Sequence, residues 1–199
     1  MKRALFYPTV LITVLLFTGT SSAYDERSMK PAVLDISEDD QIRLAESAAP
    51  PHISKDATIL ILDTDLTYKK ARTGSNGFTC YLDLDKIDIP VPACMDAAAV
   101  QWWNDFVGQK PKPTNKVPGI AYMAQGALRW EKDGKIFISW DVPGTKRRRE
   151  PPHWLIFWPF DHMSTKLPTY PGSFGTSIMY SGTPWSHLMI YQDPMLIGK

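Results

Sequence analysis

The sequence predicts an α+β domain with an antiparallel or mixed sheet, about two helices and long loops rich in proline and glycine. Short runs of β-branched and aromatic residues, which are typical of buried strands, recur from residue 58 to residue 191. Two segments, beginning near Ser37 and Asp96, combine a helix-capping residue with helical spacing of apolar residues. The 17 prolines favour an irregular periphery around the sheet.

The first 23 residues have the pattern of a cleaved secretory signal. Lys2 and Arg3 precede the apolar run 4–19, and small residues follow, with Ala23 last before the expected cleavage. The run is shorter than the roughly 20 residues that a membrane-spanning helix needs. We therefore expect an exported, soluble protein, periplasmic or secreted, with no membrane anchor after signal cleavage.

The charge of the mature chain gives no reason to expect nucleic-acid binding. Without Lys2 and Arg3, 20 basic and 21 acidic side chains remain, so the formal charge is close to zero. Binding to nucleic acid or to an anionic membrane generally depends on an excess of basic residues. The partner expected from the sequence is a small molecule or another protein.

Residues 24–56 are predicted to form a flexible segment and an N-terminal helix, and residues 57–199 a single α+β domain. Ser37 is the expected N-cap of a helix over 38–48, with Asp40 as a capping-box partner. The two prolines that begin at Pro50 end the helix, because the residue before a proline avoids the helical conformation.

Three strands and a turn are predicted next. Residues 58–62 are β-formers and predict a buried strand, and residues 67–72 predict a solvent-facing strand. The turn signal at 74–77 contains an Asn-Gly pair, which is typical of hairpins. It predicts a hairpin that joins 67–72 to a strand over 78–82.

An extended linker and a second helix follow. The prolines of residues 87–92 remove ladder donors and predict an extended linker. Asp96 and Gly108 are start and stop signals for a helix over 96–107.

The C-terminal half is predicted to be mostly strands, over 119–130 and 135–140. The segments His153–Phe157 and His187–Tyr191 resemble each other and are apolar at alternate and intervening positions. This pattern predicts two central strands of one sheet, with both faces covered.

Two loops are predicted between these strands. The basic run 146–149 lies between proline-containing segments and predicts a solvated loop. Residues 168–184, rich in glycine, proline, serine and threonine, predict a long surface loop.

The two cysteines, Cys80 and Cys94, predict a disulfide. An even number of cysteines in an exported protein favours cross-linking. The alternative is a free thiolate nucleophile paired with a histidine.

Three of the four histidines, His153, His162 and His187, lie in the last 50 residues, near Asp161 and Asp193. Such a set can hold a zinc ion, and His153, His187 and Asp193 are the candidate catalytic residues. The competing interpretation places His153 and His187 at the starts of buried strands and His162 in a loop. We expect no cofactor, with zinc as the alternative.

Seven tryptophans are a high number for this length, and amphipathic rings can form a binding platform. Trp102, Trp103 and Trp185 are the candidate platform residues. Adjacent Trp102 and Trp103 point to different sides of a helix, so one of them is expected to face solvent. Arg147 and Arg148 are candidate anion ligands, because guanidinium groups suit carboxylates and phosphates.

Several segments resemble those of an uncharacterised family of exported bacterial proteins. The resemblance rests on scattered motifs over most of the mature chain: Ala48–Pro51, Gly74–Cys80, Cys94–Asp96, Gly119–Met123, Pro152–Trp154 and His187–Tyr191. The family has no established activity, so the resemblance implies an exported bacterial origin and transfers no catalytic residue.

The expected function is non-enzymatic binding of a small molecule or a protein partner. The aromatic C-terminal half and the absence of a specific catalytic motif favour it. The alternative is a metal-dependent or serine-type hydrolase that uses the C-terminal histidines. Gly172-Ser173-Phe174-Gly175 lacks the spacing of a nucleophile elbow.

Overall fold

A computed structural model describes residues 35–83, 90–137, 142–172 and 174–197. The predicted signal (1–23) and the first part of the predicted flexible segment (24–34) lie outside the described residues. The described part confirms an α+β architecture dominated by β-sheet, with a large mixed sheet of eight strands and a small sheet of three.

The helices and strands have the following bounds, numbered along the chain. The helices are α1 (Glu38–Glu46), α2 (Pro51–Ser54), α3 (Ala97–Val107) and α4 (His162–Thr165), and a short 3-10 helix covers Pro194–Leu196. The strands are β1 (Thr58–Leu62), β2 (Tyr68–Arg72), β3 (Phe78–Asp83), β4 (Val91–Asp96), β5 (Gly119–Met123), β6 (Ala127–Lys132), β7 (Lys135–Phe137), β8 (Lys146–Glu150), β9 (His153–Phe157), β10 (Thr176–Met179) and β11 (His187–Ile190).

The large sheet has the strand order β10-β11-β9-β5-β4-β3-β1-β2, and the small sheet has the order β7-β6-β8. Only β1 and β3 run parallel, and the other neighbouring pairs described are antiparallel. The prediction that the two similar segments are strands inside one sheet is confirmed, and the structure adds that β9 and β11 are neighbours in it.

Helix α1 covers one face of the large sheet, which we call the α1 face. Ser37 caps the helix as predicted, since its hydroxyl accepts a hydrogen bond from the backbone N–H of Asp40. The buried alanines of α1 and of the turn after it pack against Ile59, Ile61 and Leu82. Burial of these apolar side chains fixes the helix to the sheet.

Helix α3 covers the opposite face, the α3 face. Asp96 is its N-cap and Gly108 its C-cap, as predicted. The helix begins directly against β5, where a Cβ on Gly119 would lie 2.3 Å from the backbone nitrogen of Ala99. Only glycine permits this approach, which brings Trp102 into the core.

The predicted disulfide is confirmed between Cys80 on β3 and Cys94 on β4, which lie directly opposite each other in the register. Both cysteines are fully buried and belong to the core on the α1 face. The alternative of a free thiolate is therefore wrong.

The predicted hairpin between 67–72 and 78–82 is wrong. Strand β2 instead forms a hairpin with β1, and β3 lies on the other side of β1, parallel to it. The turn residues cross the start of β1, because the backbone N–H groups of Ser75 and Asn76 both donate to the carbonyl of Asp56. These long-range bonds direct the chain past β1.

The two predicted loops and part of the predicted linker contain strands. The basic run 146–149 lies in β8, at an edge of the small sheet. The segment 168–184 contains the edge strand β10, with Ser177 to Met179 buried.

The predicted linker is described only from residue 90, and β4 begins at Val91. Pro92 is tolerated because the recorded pairing of β4 with β5 involves only Cys94 and Met95.

Among the helices of the described residues, none combines the length and the apolar character needed to cross a membrane.

Candidate functional site

A cavity of about 80 Å³ lies between the α3 face of the large sheet, helix α3 and the small sheet. The sheet supplies its floor through side chains of β4, β9 and β11, which alternate between the two faces. Helix α3 forms one wall, and strands β6, β7 and β8 of the small sheet form another. We call this the core cavity.

Most of the cavity wall is apolar, and four methionines are prominent in it. They are Met95, Met123, Met179 and Met189. Methionine is unbranched and can repack around an occupant more easily than a branched or aromatic side chain. The wall can therefore adapt to molecules larger than the space it encloses in this structure.

An aromatic cluster packs around Trp102. This side chain is 1 % exposed and stacks on Phe157 with ring centroids 4.2 Å apart. Trp185 meets Trp102 at a right angle with centroids 5.2 Å apart, and Trp103 stacks beside it at 6.5 Å. The three tryptophans singled out from the sequence therefore come together.

Trp102 and Trp103 line the core cavity, and Trp185 contacts Trp102. The prediction of a solvent-facing ring in the adjacent pair holds in part, since Trp103 is partly exposed. Trp102 and Trp185 are buried, and Trp103 is half-buried. Helix α3 turns Trp102 into the core and leaves Trp103 at its margin, where Tyr81 and Trp103 line both the cavity and an exterior groove of about 470 Å³. The core cavity and the groove are therefore neighbours on the two sides of these rings.

The polar end of the cavity is a network around Glu150, a side chain that is only 1 % exposed. Its carboxylate accepts hydrogen bonds from Arg129 at 2.9 Å and from the hydroxyl of Tyr191 at 3.1 Å. Arg129 also donates to Glu131, which accepts a further bond from Tyr170 at 2.6 Å. The buried charges are therefore paired with each other.

The pKa shifts in this network follow from burial and charge pairing. Burial opposes the charge of Arg129, but Glu150 and the bonds to Tyr170 and Glu131 hold its pKa above the usual value. Burial, supported by the negative charge of Glu150, raises the pKa of Tyr191. Near neutral pH, the guanidinium therefore stays charged and the phenol stays protonated.

His153 and His187 occupy equivalent positions at the starts of β9 and β11. The Nδ1 of His153 lies 2.7 Å from the carbonyl of Pro151, and the Nδ1 of His187 lies 2.9 Å from the carbonyl of Trp185. A carbonyl only accepts, so each Nδ1 carries the hydrogen and each Nε2 of the neutral ring bears a lone pair.

Burial keeps both rings neutral. It lowers the pKa of His187 to about 4 against the opposing bond to the Trp185 carbonyl. Burial also lowers the pKa of His153, although Glu150 acts in the opposite direction. The Nε2 of His153 has no hydrogen-bond partner among the described residues.

The structure does not gather the three candidate metal ligands at one point. His187 packs against Phe157, at the opposite end of β9 from His153. The two histidines are therefore separated by roughly 13 Å along the strand direction. His162 is exposed on α4. Within the described ranges, no group of three His, Cys, Asp or Glu side chains could hold a metal ion. Zinc remains a sequence-based prediction.

The remaining candidate residues lie away from the cavity. Asp161 and Asp193 cap α4 and the 3-10 helix, respectively. Arg147 and Arg148 are exposed on β8, and Arg148 donates to Glu131 at 2.9 Å. Neither arginine lines the core cavity, and Arg147 lies opposite Trp130 in the register of the small sheet.

Sequence reasoning missed Arg129, Glu150, Tyr191 and the four methionines. Glu150 follows a basic run, and such a position is typical of solvent exposure. No local pattern marks it as buried. The similarity of the segments that begin at His153 and His187 was the one available signal, and it predicted strands rather than a shared cavity.

Comparisons of the chain with protein-family models, with curated proteins and with solved structures gave no match.

Proposed function

We propose that this protein binds a small, largely apolar molecule in the core cavity and does so without chemical conversion. The observation that carries the proposal is a largely apolar cavity with a few polar groups converging at one end. This combination is the usual form of a small-molecule site. The polar groups at this end include His153, Glu150 and Arg129, and Asp83 and His187 also line the cavity.

The charge balance of the cavity favours a neutral ligand. Arg129 and Glu150 satisfy each other, so this pair offers no free counter-charge to a charged ligand, which would be desolvated on entry. The polar groups at this end would give orientation, while the apolar wall would give most of the affinity.

The enclosed volume favours a small ligand. About 80 Å³ is less than the roughly 150 Å³ of an engineered cavity that holds benzene. A ring-sized molecule would need movement of the wall, and the four methionines supply side chains able to move. Monocyclic aromatic molecules are therefore suitable probes.

We further propose that the protein acts outside the cytoplasm, in the periplasm or as a secreted protein. The predicted signal and the disulfide support this location, since disulfides persist in oxidising compartments. Expression of the full chain in a bacterium, followed by fractionation and intact-mass measurement, tests it. A mature chain starting at Tyr24 outside the cytoplasm is expected, and an uncleaved cytoplasmic chain would contradict the proposal.

Titration with toluene and with phenol tests the binding function. We expect saturable quenching of tryptophan fluorescence and a rise in melting temperature, because Trp102 and Trp103 line the cavity. Ala93→Leu should abolish both signals, because Ala93 is buried on the cavity floor and a larger side chain would fill the space.

Ala71→Leu is the matched control, because Ala71 is exposed on β2 and far from the cavity. It should bind both probes as the unchanged protein does. If neither probe binds the unchanged protein, or if Ala93→Leu binds as well as Ala71→Leu, the core cavity is not a ligand site.

A further inference from the structure

The side chain of His153 offers an acceptor that the described part of the protein leaves unused. The ring is completely buried and lines the core cavity. Its Nδ1–H donates to the carbonyl of Pro151 at 2.7 Å, which fixes the tautomer and the ring orientation. The Nε2 lone pair has no partner among the described residues.

Two donors near His153 are already engaged elsewhere. The hydroxyl of Tyr191, whose ring centroid lies 5.9 Å from that of His153, donates to Glu150 at 3.1 Å. The guanidinium of Arg129 donates to Glu150 and Glu131. A buried acceptor without a donor is unfavourable, so an occupant that supplies a donor gains more than one that does not.

We propose that the Nε2 of His153 accepts a hydrogen bond from the ligand, which is a neutral, mainly apolar molecule carrying one O–H or N–H donor. This inference rests on the proposed function and adds the chemical class of the ligand. Hydroxylated monocyclic aromatic compounds belong to that class, and phenol is its simplest member.

A metal ion fits this position less well than a donor group does. Nε2 of a neutral histidine can bind a metal, but a stable site generally needs three or four protein ligands. The described residues provide no group of three around His153. The nearest carboxylate, that of Glu150, is already engaged by Arg129 and Tyr191.

Trp102 also lines the cavity, and its indole N–H has no hydrogen-bond partner among the described atoms. It is less suited to orient a ligand, because Trp102 packs at steep angles against Trp185 and His187. Aromatic rings in such arrangements can accept a weak bond from an N–H group. His153 has no comparable substitute for its lone pair.

Paired titrations with phenol and toluene test the inference, because the two probes differ by a hydroxyl in place of a methyl group. We expect the full-length mature protein to bind phenol about five- to tenfold more tightly than toluene, as one net hydrogen bond predicts. His153→Phe should remove this preference while retaining toluene binding. His162→Phe, at an exposed histidine, is the matched control and should leave the preference unchanged.

A spectroscopic measurement on the unchanged protein covers the case in which His153→Phe fails to fold. Phenol, but not toluene, should move the nitrogen-15 resonance of His153 Nε2 in the direction expected when its lone pair accepts a hydrogen bond. The resonance of the exposed His162 should stay in place.

The outcomes separate the two proposals. If neither probe binds, the proposed function fails. If both probes bind with equal affinity and the His153 resonance does not move, the cavity binds ligands but His153 does not recognise a hydrogen-bond donor on them. A water molecule that stays on Nε2 would give this second result. If Zn²⁺ rather than phenol shifts the resonance, the donor-ligand inference is overturned in favour of a metal.

Discussion

At the scale of single residues, Glu150 has an unusual environment for its type. It is 1 % exposed although it ends a strand of exposed basic residues. Removing one partner of a buried ion pair leaves the other charge desolvated, which costs about 3–5 kcal/mol. Because Arg129 retains Glu131, we expect Glu150→Gln to lower the free energy of unfolding by about 3 kcal/mol, measured by urea denaturation.

Glu38→Gln is the control for this prediction. Glu38 forms an ion pair with Lys69 on the surface, where the side chains are 64% and 41% exposed, respectively. Exposed pairs contribute little to stability, so this variant should denature close to the unchanged protein. If Glu150→Gln and Glu38→Gln lowered the free energy of unfolding equally, the argument from burial would be wrong.

His187 makes stability depend on pH. Its pKa is about 4 in the fold against 6.5 as the ordinary value, because burial disfavours the charged ring. Between these values the unfolded chain binds more protons than the folded chain, so the free energy of unfolding falls as pH falls. The full effect of His187 is about 3 kcal/mol.

Replacing the titrating ring isolates this effect. We expect His187→Asn to flatten the decline of unfolding free energy between pH 7 and pH 4.5, because an amide can donate to the Trp185 carbonyl but does not titrate. His162→Asn, at an exposed position, should keep the slope of the unchanged protein. Urea denaturation at several pH values measures the slopes, and parallel curves for His187→Asn and the unchanged protein would refute the prediction.

At the scale of elements, sequence reasoning succeeded where the signal is local. The caps of α1 and α3 and the strand β1 depend on neighbours within a few residues, and their bounds agree closely with the expectation. The partner of β3 depends instead on bonds from Ser75 and Asn76 to the distant Asp56. No local pattern contains that information, so the predicted hairpin was wrong.

Asp96 joins three elements of the fold. Its carboxylate accepts from the backbone N–H of Ala99 in α3 at 2.8 Å and from that of Ile120 in β5 at 2.9 Å. We expect Asp96→Ala to lower the free energy of unfolding by about 2 kcal/mol, since it loses a helix cap and one further hydrogen bond. Asp96→Asn retains one acceptor oxygen and should lose about half as much.

The comparison for Asp96 is Asp161→Ala. Asp161 caps the four-residue helix α4 but accepts bonds only from its own turn. Its loss should leave the global unfolding transition nearly unchanged in urea. A similar decrease in the free energy of unfolding for Asp96→Ala and Asp161→Ala would show that Asp96 acts only as a helix cap and does not connect α3 to β5.

At the scale of the whole molecule, the two faces of the large sheet have different roles. The α1 face is closed by small residues and the disulfide, whereas the α3 face leaves the core cavity under α3 and the small sheet. Alternation along β4 explains the division, since Ala93 faces the cavity and Cys94 the other side. The sequence predicted the strands but not the cavity, because the cavity forms only when separate elements pack.

This division predicts that the disulfide supports stability and leaves binding unaffected. Cys80 and Cys94 lie 14 residues apart in the chain. A cross-link over about 15 residues constrains the unfolded chain and contributes about 3 kcal/mol. We expect the double variant Cys80→Ala/Cys94→Ala to lose about that much in urea denaturation. Its denaturant slope should rise, because the unfolded chain exposes more surface without the cross-link.

The same double variant should bind phenol with unchanged affinity at temperatures where it is folded. The sulfur atoms belong to the core on the α1 face, and the ligand is proposed to bind on the α3 face. Ala93→Leu provides the opposite pattern, with lost binding and a denaturant slope equal to that of the unchanged protein. If loss of the disulfide lowered the free energy of phenol binding as much as the free energy of unfolding, the two faces of the sheet would be coupled. The separation of roles argued from the alternation along β4 would then be wrong.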